Sequence, residues 1–546
     1  MKKTFVQHKF LLTLLLFLFA SLASIYLTGL DGHIWSFLDS GTDGRFHIVR
    51  MEGLYQSIKR GVFFPAVNMF FLDGFGYISN IFYADLWLYP VALLRLAGLS
   101  VVQAFVSFYV FLNFVTFLTS FWSYYHVSRR YDRSLLFSFI YTLSTYRIYD
   151  MVRRFDIGEV LTMVFLPIVI LGVYEIFYAD EKKWLYLTLG MTAVIYAHAL
   201  SPVLIAVFIL LVIIFRIKIL LQQPKRILSL VYAGLTSLML SLAYFLPIIE
   251  QLKHTQFKLT YAPLINVSQT GLTVDNFFHW SLLSDIYNPS LGIIGLLIAI
   301  LVPFTIWKVK NSAVRDFAII GEILLFMTTN LFPWKLFDKT PLNMIQFPWR
   351  FLMIITILFA IYLAYDGMDW FDQNWKKAIV IVATVGIAMF SGQNLVKQHP
   401  DEVDSYQAFN KIDTNSIGVG EEYLPKDADL AALIKEPHTP QVKNGLVKIT
   451  DFKQSGSKVQ FSFQNAKNAR IVVPIIDYYG YSARDSTGKV SKLTMDKTAN
   501  GLGQITVNGT GTVRINYLKT PVQIVSKIIS IFSLAILLLL LVWKKF

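Results

Sequence analysis

The chain contains no cysteine. Disulfides, thiolate nucleophiles and cysteine-ligated zinc are therefore excluded. Charge is also scarce: 15% of the 546 residues are Asp, Glu, Lys or Arg, while 55% are hydrophobic and 15% aromatic. A soluble chain of this size carries about 25% charged residues. No zinc signature, P-loop or nucleophile elbow stands out, so soluble nucleotide chemistry is unsupported. Acidic residues are the scarcer sign, 35 against 49 Lys and Arg.

What is present is apolar sequence in long runs. A bilayer-spanning helix needs about 20 mostly apolar residues. About twelve such runs occur, at roughly 10–30, 101–127, 134–149, 157–178, 184–200, 203–221, 227–249, 291–308, 315–333, 349–366, 377–392 and 522–542. The reading is a polytopic α-helical membrane protein. Ser21-Leu22-Ala23 weakly resembles a signal-peptide cleavage site. The apolar run continues to Leu30, which favours a retained anchor.

The net charge of +14 follows from the loops. Lys2, Lys3 and Lys9 place the N-terminus inside. Arg129–Arg130–Arg133, Lys182–Lys183, Arg216–Lys218–Lys225–Arg226, Lys308–Lys310–Arg315, Lys376–Lys377 and Lys544–Lys545 fall inside in turn. Basic residues retained on the cytoplasmic side explain the excess. No basic stripe on a soluble face is present, so nucleic acid is not an expected partner. Both termini are expected to be cytoplasmic.

Composition separates three regions: a membrane domain over 1–392, a polar segment over 393–521, and a last span with a basic tail over 522–546. The outer loop 31–100 is too long for a connector. It reads as a surface helix over about 43–60, an irregular part with Pro65, Gly74 and Gly76, and a short helix over about 84–97. Ile48, Met51, Tyr55 and Ile58 recur at helical spacing, and such a helix is expected in the interface plane. The polar segment alternates as VKITDF, KVQFSF, ARIVVPI, QITVNG and TVRINY, separated by SGS, NAKN, STGK and NGTG. It predicts an extracytoplasmic antiparallel β-sandwich of about six to eight strands, after a partly helical stretch at about 401–435.

The candidate chemistry lies at predicted outer membrane boundaries. Asp43 reads either as a general base for an acceptor hydroxyl or as a helix N-cap. Asp31 and Asp39 are weaker competitors. His47 and Arg50 follow Asp43 at i+4 and i+7 on the surface helix. Asp85, in FYADLWLYP, is a functional acid or another N-cap; Asp73, in FLDGFG, reads as a turn residue. The stretch TYRIYDMVRRFDIGEVL crowds together Arg147, Asp150, Arg153, Arg154, Asp156 and Glu159. Arginines there suit a phosphate leaving group, by fixed charge and two-point donation. The alternative is a solvated loop with internal ion pairs, although Glu159 begins an apolar run. His198, Glu322 and Arg350 complete the set. They read as structural histidine, snorkelling acid and interface anchor, or as functional groups.

These residues carry a resemblance. An acidic first outer loop, a helix ending in GVFFP, then FYADLWLYP before another helix, resembles the GT-C superfamily of polyprenyl-phosphate-sugar-dependent glycosyltransferases. GYISNIFYADLWLYPVALLRLAG, RRFDIGEVLTMVFLPIVILG and above all IQFPWRFL resemble YfhO-like bacterial membrane proteins. Some of that family are catalogued as 6-pyruvoyl-tetrahydropterin synthase-related. That activity needs zinc and clustered histidines, usually with a cysteine nucleophile; none is visible, and it is rejected. VPIIDYYGYSARDSTGKV resembles the family's outer segment, with Tyr481 where Trp is common.

The resemblance implies a GT-C-like fold in the bacterial cytoplasmic membrane. It implies a donor sugar on a polyprenyl phosphate, a cell-envelope polymer, glycolipid or protein as acceptor, and Asp43 as the catalytic acid of the first loop. The expected phosphate-binding residues are Arg147, Arg153, Arg154 and Arg350, supported by His47, Arg50, Asp85, Glu159 and His198. Neither a cofactor nor a metal is required. Competing readings are a flippase for a lipid-linked sugar and a non-catalytic envelope scaffold.

Overall fold

Each of the twelve apolar runs contains helix in the computed structural model, which describes residues 2–26, 41–261, 264–400, 412–486, 490–496 and 499–543. Local signals set the boundaries. Ser100 and Gln103 form a reciprocal capping box that starts the helix Val101–Ser128. Asp156 caps Ile157–Tyr178 by accepting from the amides of Gly158 and Glu159, and Asn311 caps Ser312–Thr328. Pro224 opens Pro224–His254 and separates it from Ser201–Gln222.

The helices are not equal in length. Among the described residues seven are long and apolar enough to cross a membrane: 101–128, 157–178, 201–222, 224–254, 348–365, 374–398 and 521–542. Two expected spans are shorter than their apolar runs. The 134–149 run is Tyr131–Thr142 followed, after a break, by Thr145–Tyr149. The 184–200 run is helical only over Leu185–Ile195. At 1.5 Å per residue, helices of 12 and 11 residues reach about 17–18 Å, against a hydrocarbon core of about 30 Å. In the first of these runs Thr145–Tyr149 and Asp150–Arg154 continue the helical path after the break.

The chain divides into two compact units. The first comprises 1–44, 99–238 and 265–411; the second comprises 45–98, 239–264 and 412–546. In the first, the helices pack around a core running from Phe17 and Phe117 through Val173 and Phe208 to Phe359.

In the second unit the surface helix appears as Gly44–Lys59 and the short one as Leu86–Leu88 continuing into Tyr89–Leu96. The first is enclosed more than an interface helix would be. Ile48, Met51 and Ile58 are buried, but so are His47, Arg50 and Glu52. Buried ion pairing explains this: Arg50 pairs with Asp85, and Glu52 accepts two bonds from Arg95 at 2.9 and 3.2 Å. Asp73 sits in a turn with φ 49°, as read.

The polar segment forms one sheet rather than two packed ones. Seven antiparallel strands are described: β1 (Gln441–Asn444), β2 (Lys448–Ser455), β3 (Lys458–Ile476), β4 (Tyr481–Arg484), β5 (Val490–Lys492), β6 (Thr494–Asp496) and β7 (Leu502–Tyr517). The order is β1-β3-β7-β4-β5, with β2 also on β3 and β6 also on β7. NAKN and NGTG do not reverse the chain. They lie opposite each other, Ala466 paired with Gly509, as irregularities inside two long strands. Asn465, Asn468 and Gly509 take positive φ there, a geometry these residue types accept at low cost. Phe461, Ile471, Ile475 and Val513 share a core with Phe71, Phe75 and Tyr77 of the same unit. Of the stretch at about 401–435, residues 401–411 lie outside the described residues, and the remainder holds one helical turn, Leu430–Leu433.

Candidate active site

The stretch 145–159 folds into an unusual corner. Thr145–Tyr149 is a short helix, and Asp150–Arg154 follows as a π-helical turn. Phe155 then takes φ 61°, ψ 34°, a left-handed conformation uncommon for a bulky residue. Phe155 is fully buried and stacks on Phe105 and Tyr109, which holds the kink in place. Widened turns and strained backbone of this kind concentrate at functional sites. The helix Ile157–Tyr178 starts immediately after it.

This corner gathers charge out of water. Glu159 is fully buried, and Arg154 and Arg350 both reach one of its oxygens. Arg154 Nη1 is 2.8 Å and Arg350 Nε 3.0 Å from Glu159 Oε1. Neither contact is aligned as a hydrogen bond, so both are ion pairs. The other oxygen, Oε2, accepts from the Tyr146 hydroxyl at 2.9 Å. Arg154 also reaches Asp150 Oδ1 at 3.1 Å and Asp156 Oδ2 at 3.0 Å. Arg350 donates to the Ile345 carbonyl at 3.0 Å. Trp349 lies under the Arg154 guanidinium at 4.9 Å and packs on Tyr149.

Burial, then the Glu159 charge, pushes the Asp150 carboxyl well above the usual range. His198 donates to or accepts from Ser201 Oγ at 2.8 Å, and its Nε2 lies 3.8 Å from Asp156 Oδ2. Asp156, Glu159 and His198 have ligand atoms within 4.8 Å of one another, close enough to hold a cation. Arg154 and Arg350 already neutralise those same carboxylates, so a metal would have to compete with both.

Asp43 is at the rim. Its amide donates to the Arg154 carbonyl at 3.0 Å, and the Thr42 amide to the Arg153 carbonyl at 3.1 Å. Asp43 is half-buried, unlike the enclosed charges below it. Arg153 is also half-buried; it donates to the Tyr287 hydroxyl at 3.0 Å, and Tyr287 stacks on His399. Asp31 and Asp39 lie outside the described residues.

Arg147 turns elsewhere. It is fully buried and donates to Asn113 Oδ1 at 2.7 Å, the Thr142 carbonyl at 3.1 Å and Thr116 Oγ1 at 3.1 Å. Its guanidinium ties the corner to the helix Val101–Ser128. In the second unit, His47, Arg50 and Asp85 form their own cluster. Arg50 Nη2 is 3.0 Å from Asp85 Oδ1, and Nη1 is 3.1 Å from His47 Nδ1. Asp85 stands at the N-cap position of Leu86–Leu88 but makes no capping bond. Its carboxyl serves Arg50 instead. Burial, partly offset by Arg50, lifts its pKa to about 6. Glu322 is half-buried, with Oε1 lacking a hydrogen-bond partner.

Tyr146, Trp349 and the precise part of Asp156 were not singled out from sequence. Asp156 had a readable signal, an acid three residues before Glu159 at a helix start. Tyr146 had none, since only the folded corner turns its hydroxyl onto Glu159.

No curated protein matches the chain. Among solved structures, the cryo-EM structure of the arabinofuranosyltransferase AftD from Mycobacteria is similar at 13% identity and TM-score 0.41. The match covers 70% of this chain and 27% of that one, so this chain spans about a quarter of its length. A family model described as "Bacterial membrane protein YfhO" matches residues 69–416. That span takes in Asp85, Glu159, His198 and Arg350 and begins after Asp43. It covers more than half of the sequence, and the chain belongs to the YfhO family of bacterial membrane proteins.

Proposed function

We propose that this protein is a membrane glycosyltransferase that moves a sugar from a polyprenyl-phosphate donor to a hydroxyl of a cell-envelope acceptor. The observation that carries the reading is the convergence of Arg154 and Arg350 on Glu159, with the Asp43 backbone bonded to Arg154. Asp43 takes the proton of the acceptor hydroxyl. The acceptor oxygen attacks the anomeric carbon, and the bond from that carbon to the phosphate oxygen breaks, with inversion. The electron pair leaves on the lipid phosphate, whose charge rises from about −1 to −2. The guanidiniums attract that growing charge more than the ground state, which is what lowers a barrier. Arg350, paired with one carboxylate, is the better placed to grip the phosphate. Arg154, held by Asp150, Asp156 and Glu159, positions Glu159 and the rim. Glu159 orients both. With a monophosphate leaving group and arginines at hand, the reaction requires neither metal nor cofactor.

In this reading the site faces outward, both termini are cytoplasmic, and residues 393–521 lie outside, where they orient the acceptor. The donor and acceptor classes come from the family resemblance; the chemistry comes from the corner.

The test is transfer from a labelled polyprenyl-phosphate sugar by purified protein in lipid. Asp43→Asn keeps shape and much of any capping role but removes the base. A loss of about 10²–10⁴ in rate is expected, with normal accumulation in the membrane. Undiminished transfer by this variant would remove Asp43 from the chemistry, and a scaffold reading would then be preferred.

A further inference from the structure

A cavity of about 220 Å³ lies in the first unit, at the other end of the helices that build the charged corner. Glu159 and Tyr174 sit near opposite ends of Ile157–Tyr178, as Arg350 and Tyr365 do in the segment Pro348–Tyr365. Fifteen residues separate each pair, about 22 Å of helix. Tyr174 and Tyr365 line the cavity; Glu159 and Arg350 do not. This space is therefore separate from the proposed transfer site.

Most of its wall is apolar, with Phe137, Pro167, Ile170, Leu171, Phe317 and Ile361, and Ser123, Ser128 and Asn311 add polar lining. Its mouth is basic. Arg133 lines it half-buried, donating one Nη1 bond to the Tyr365 carbonyl. Its Nε is enclosed with no hydrogen-bond partner. Among the described residues no carboxylate lies within ion-pair distance of Arg133. The acids nearby in the chain are committed. Asp132 is paired with Arg130 at 3.1 Å and Lys377 at 2.9 Å. Asp366 accepts from the amides of Trp370 and Phe371, each at 2.8 Å. A guanidinium held partly out of water without a counter-charge is costly, and it binds phosphate with two parallel bonds when one is supplied.

A largely apolar space lined by an arginine without a carboxylate partner fits one kind of ligand, an amphipathic anion. We propose that this cavity binds a lipid phosphate, the chain lying along Leu171 and Phe317 and the phosphate meeting Arg133. The site stands apart from the transferase reading and does not depend on it. Two sources share the chemistry: an anionic phospholipid of the bilayer and a polyprenyl phosphate.

The experiment uses the full chain purified in a neutral detergent. Thermal unfolding and native mass spectrometry are recorded with added phosphatidylglycerol, undecaprenyl phosphate or phosphatidylcholine. An anionic lipid is expected to raise Tm by several degrees beyond phosphatidylcholine and to remain as a bound adduct. Arg133→Ala should lose that difference while folding normally, since it removes a charge without a carboxylate partner. Arg133→Lys should keep part of it. Leu171→Trp, which fills the cavity, should lose the adduct; if it fails to fold, Arg133→Ala decides alone. A response to phosphatidylglycerol identifies the bilayer as the source, and a response to undecaprenyl phosphate alone identifies the isoprenoid. Equal stabilisation by phosphatidylcholine, or a full anionic response in Arg133→Ala, overturns the proposal.

Discussion

Arg154 and Arg350 meet on a single oxygen, Glu159 Oε1, at 2.8 and 3.0 Å. They arrive from segments far apart in the chain, one from a π-helical turn and one from the 3₁₀ turn Pro348–Phe351. A buried carboxylate with two guanidiniums is a stable electrostatic unit only while all three are present.

Glu159→Gln is therefore expected to be among the most damaging single changes in the first unit. It leaves Arg350 without its carboxylate and Arg154 with one fewer, at a cost of about 3–5 kcal/mol. Arg350→Lys keeps the charge but loses the planar grip, so transfer should fall at least about tenfold with a smaller change in Tm. Because the residues share one oxygen, the losses in a Glu159→Gln/Arg350→Lys double variant should be non-additive. Purely additive losses would show that the two groups act independently.

Gly53 lies against Asn68 in the second unit. A Cβ at Gly53 would sit 2.0 Å from Asn68 Oδ1, and Asn68 is fully buried, with its Nδ2 directed at the Arg50 carbonyl. Gly53→Ala should destabilise by about 1–3 kcal/mol, the usual cost of overpacking. Thermal unfolding of the purified variant measures it. A helix-propensity gain without loss of Tm would mean that Asn68 moves freely aside.

Asp477 gives the β-sheet region a pH dependence. Burial lifts its pKa from 3.8 to about 6. The native state thus binds the proton more tightly than the unfolded chain. Its contribution is fully present below about pH 4 and is lost as pH rises through about 6, roughly 1–3 kcal/mol given its partial exposure. Asp477→Asn should flatten the Tm-versus-pH curve between pH 4 and 6. An unchanged curve would place the titration on another group.

The orientation is open to a direct test. Protease added to intact protoplasts should release fragments from residues 393–521 if, as the alternating basic loops predict, both termini lie inside. Complete protection of that segment would invert the proposed topology and move the charged corner to the cytoplasmic face.

Sequence by itself determined the membrane class, the approximate positions of the apolar helices and the β character of the polar segment. Those features rest on composition and on local periodicity, which a linear reading sees. It also marked Asp43, Arg154, Glu159 and Arg350, because charges at the ends of apolar runs are costly and conspicuous. The tertiary structure decided how these charges are used. It turned Arg147 toward Asn113 and Thr116 and paired Arg50 with Asp85 instead of leaving Asp85 a cap. It brought Arg350 to Glu159 across the chain. It also made NAKN and NGTG facing irregularities within β3 and β7, since two turn-like sequences opposite each other can bend a pair of strands without ending it. A residue's partners depend on which distant segment packs beside it, and no local pattern encodes that choice.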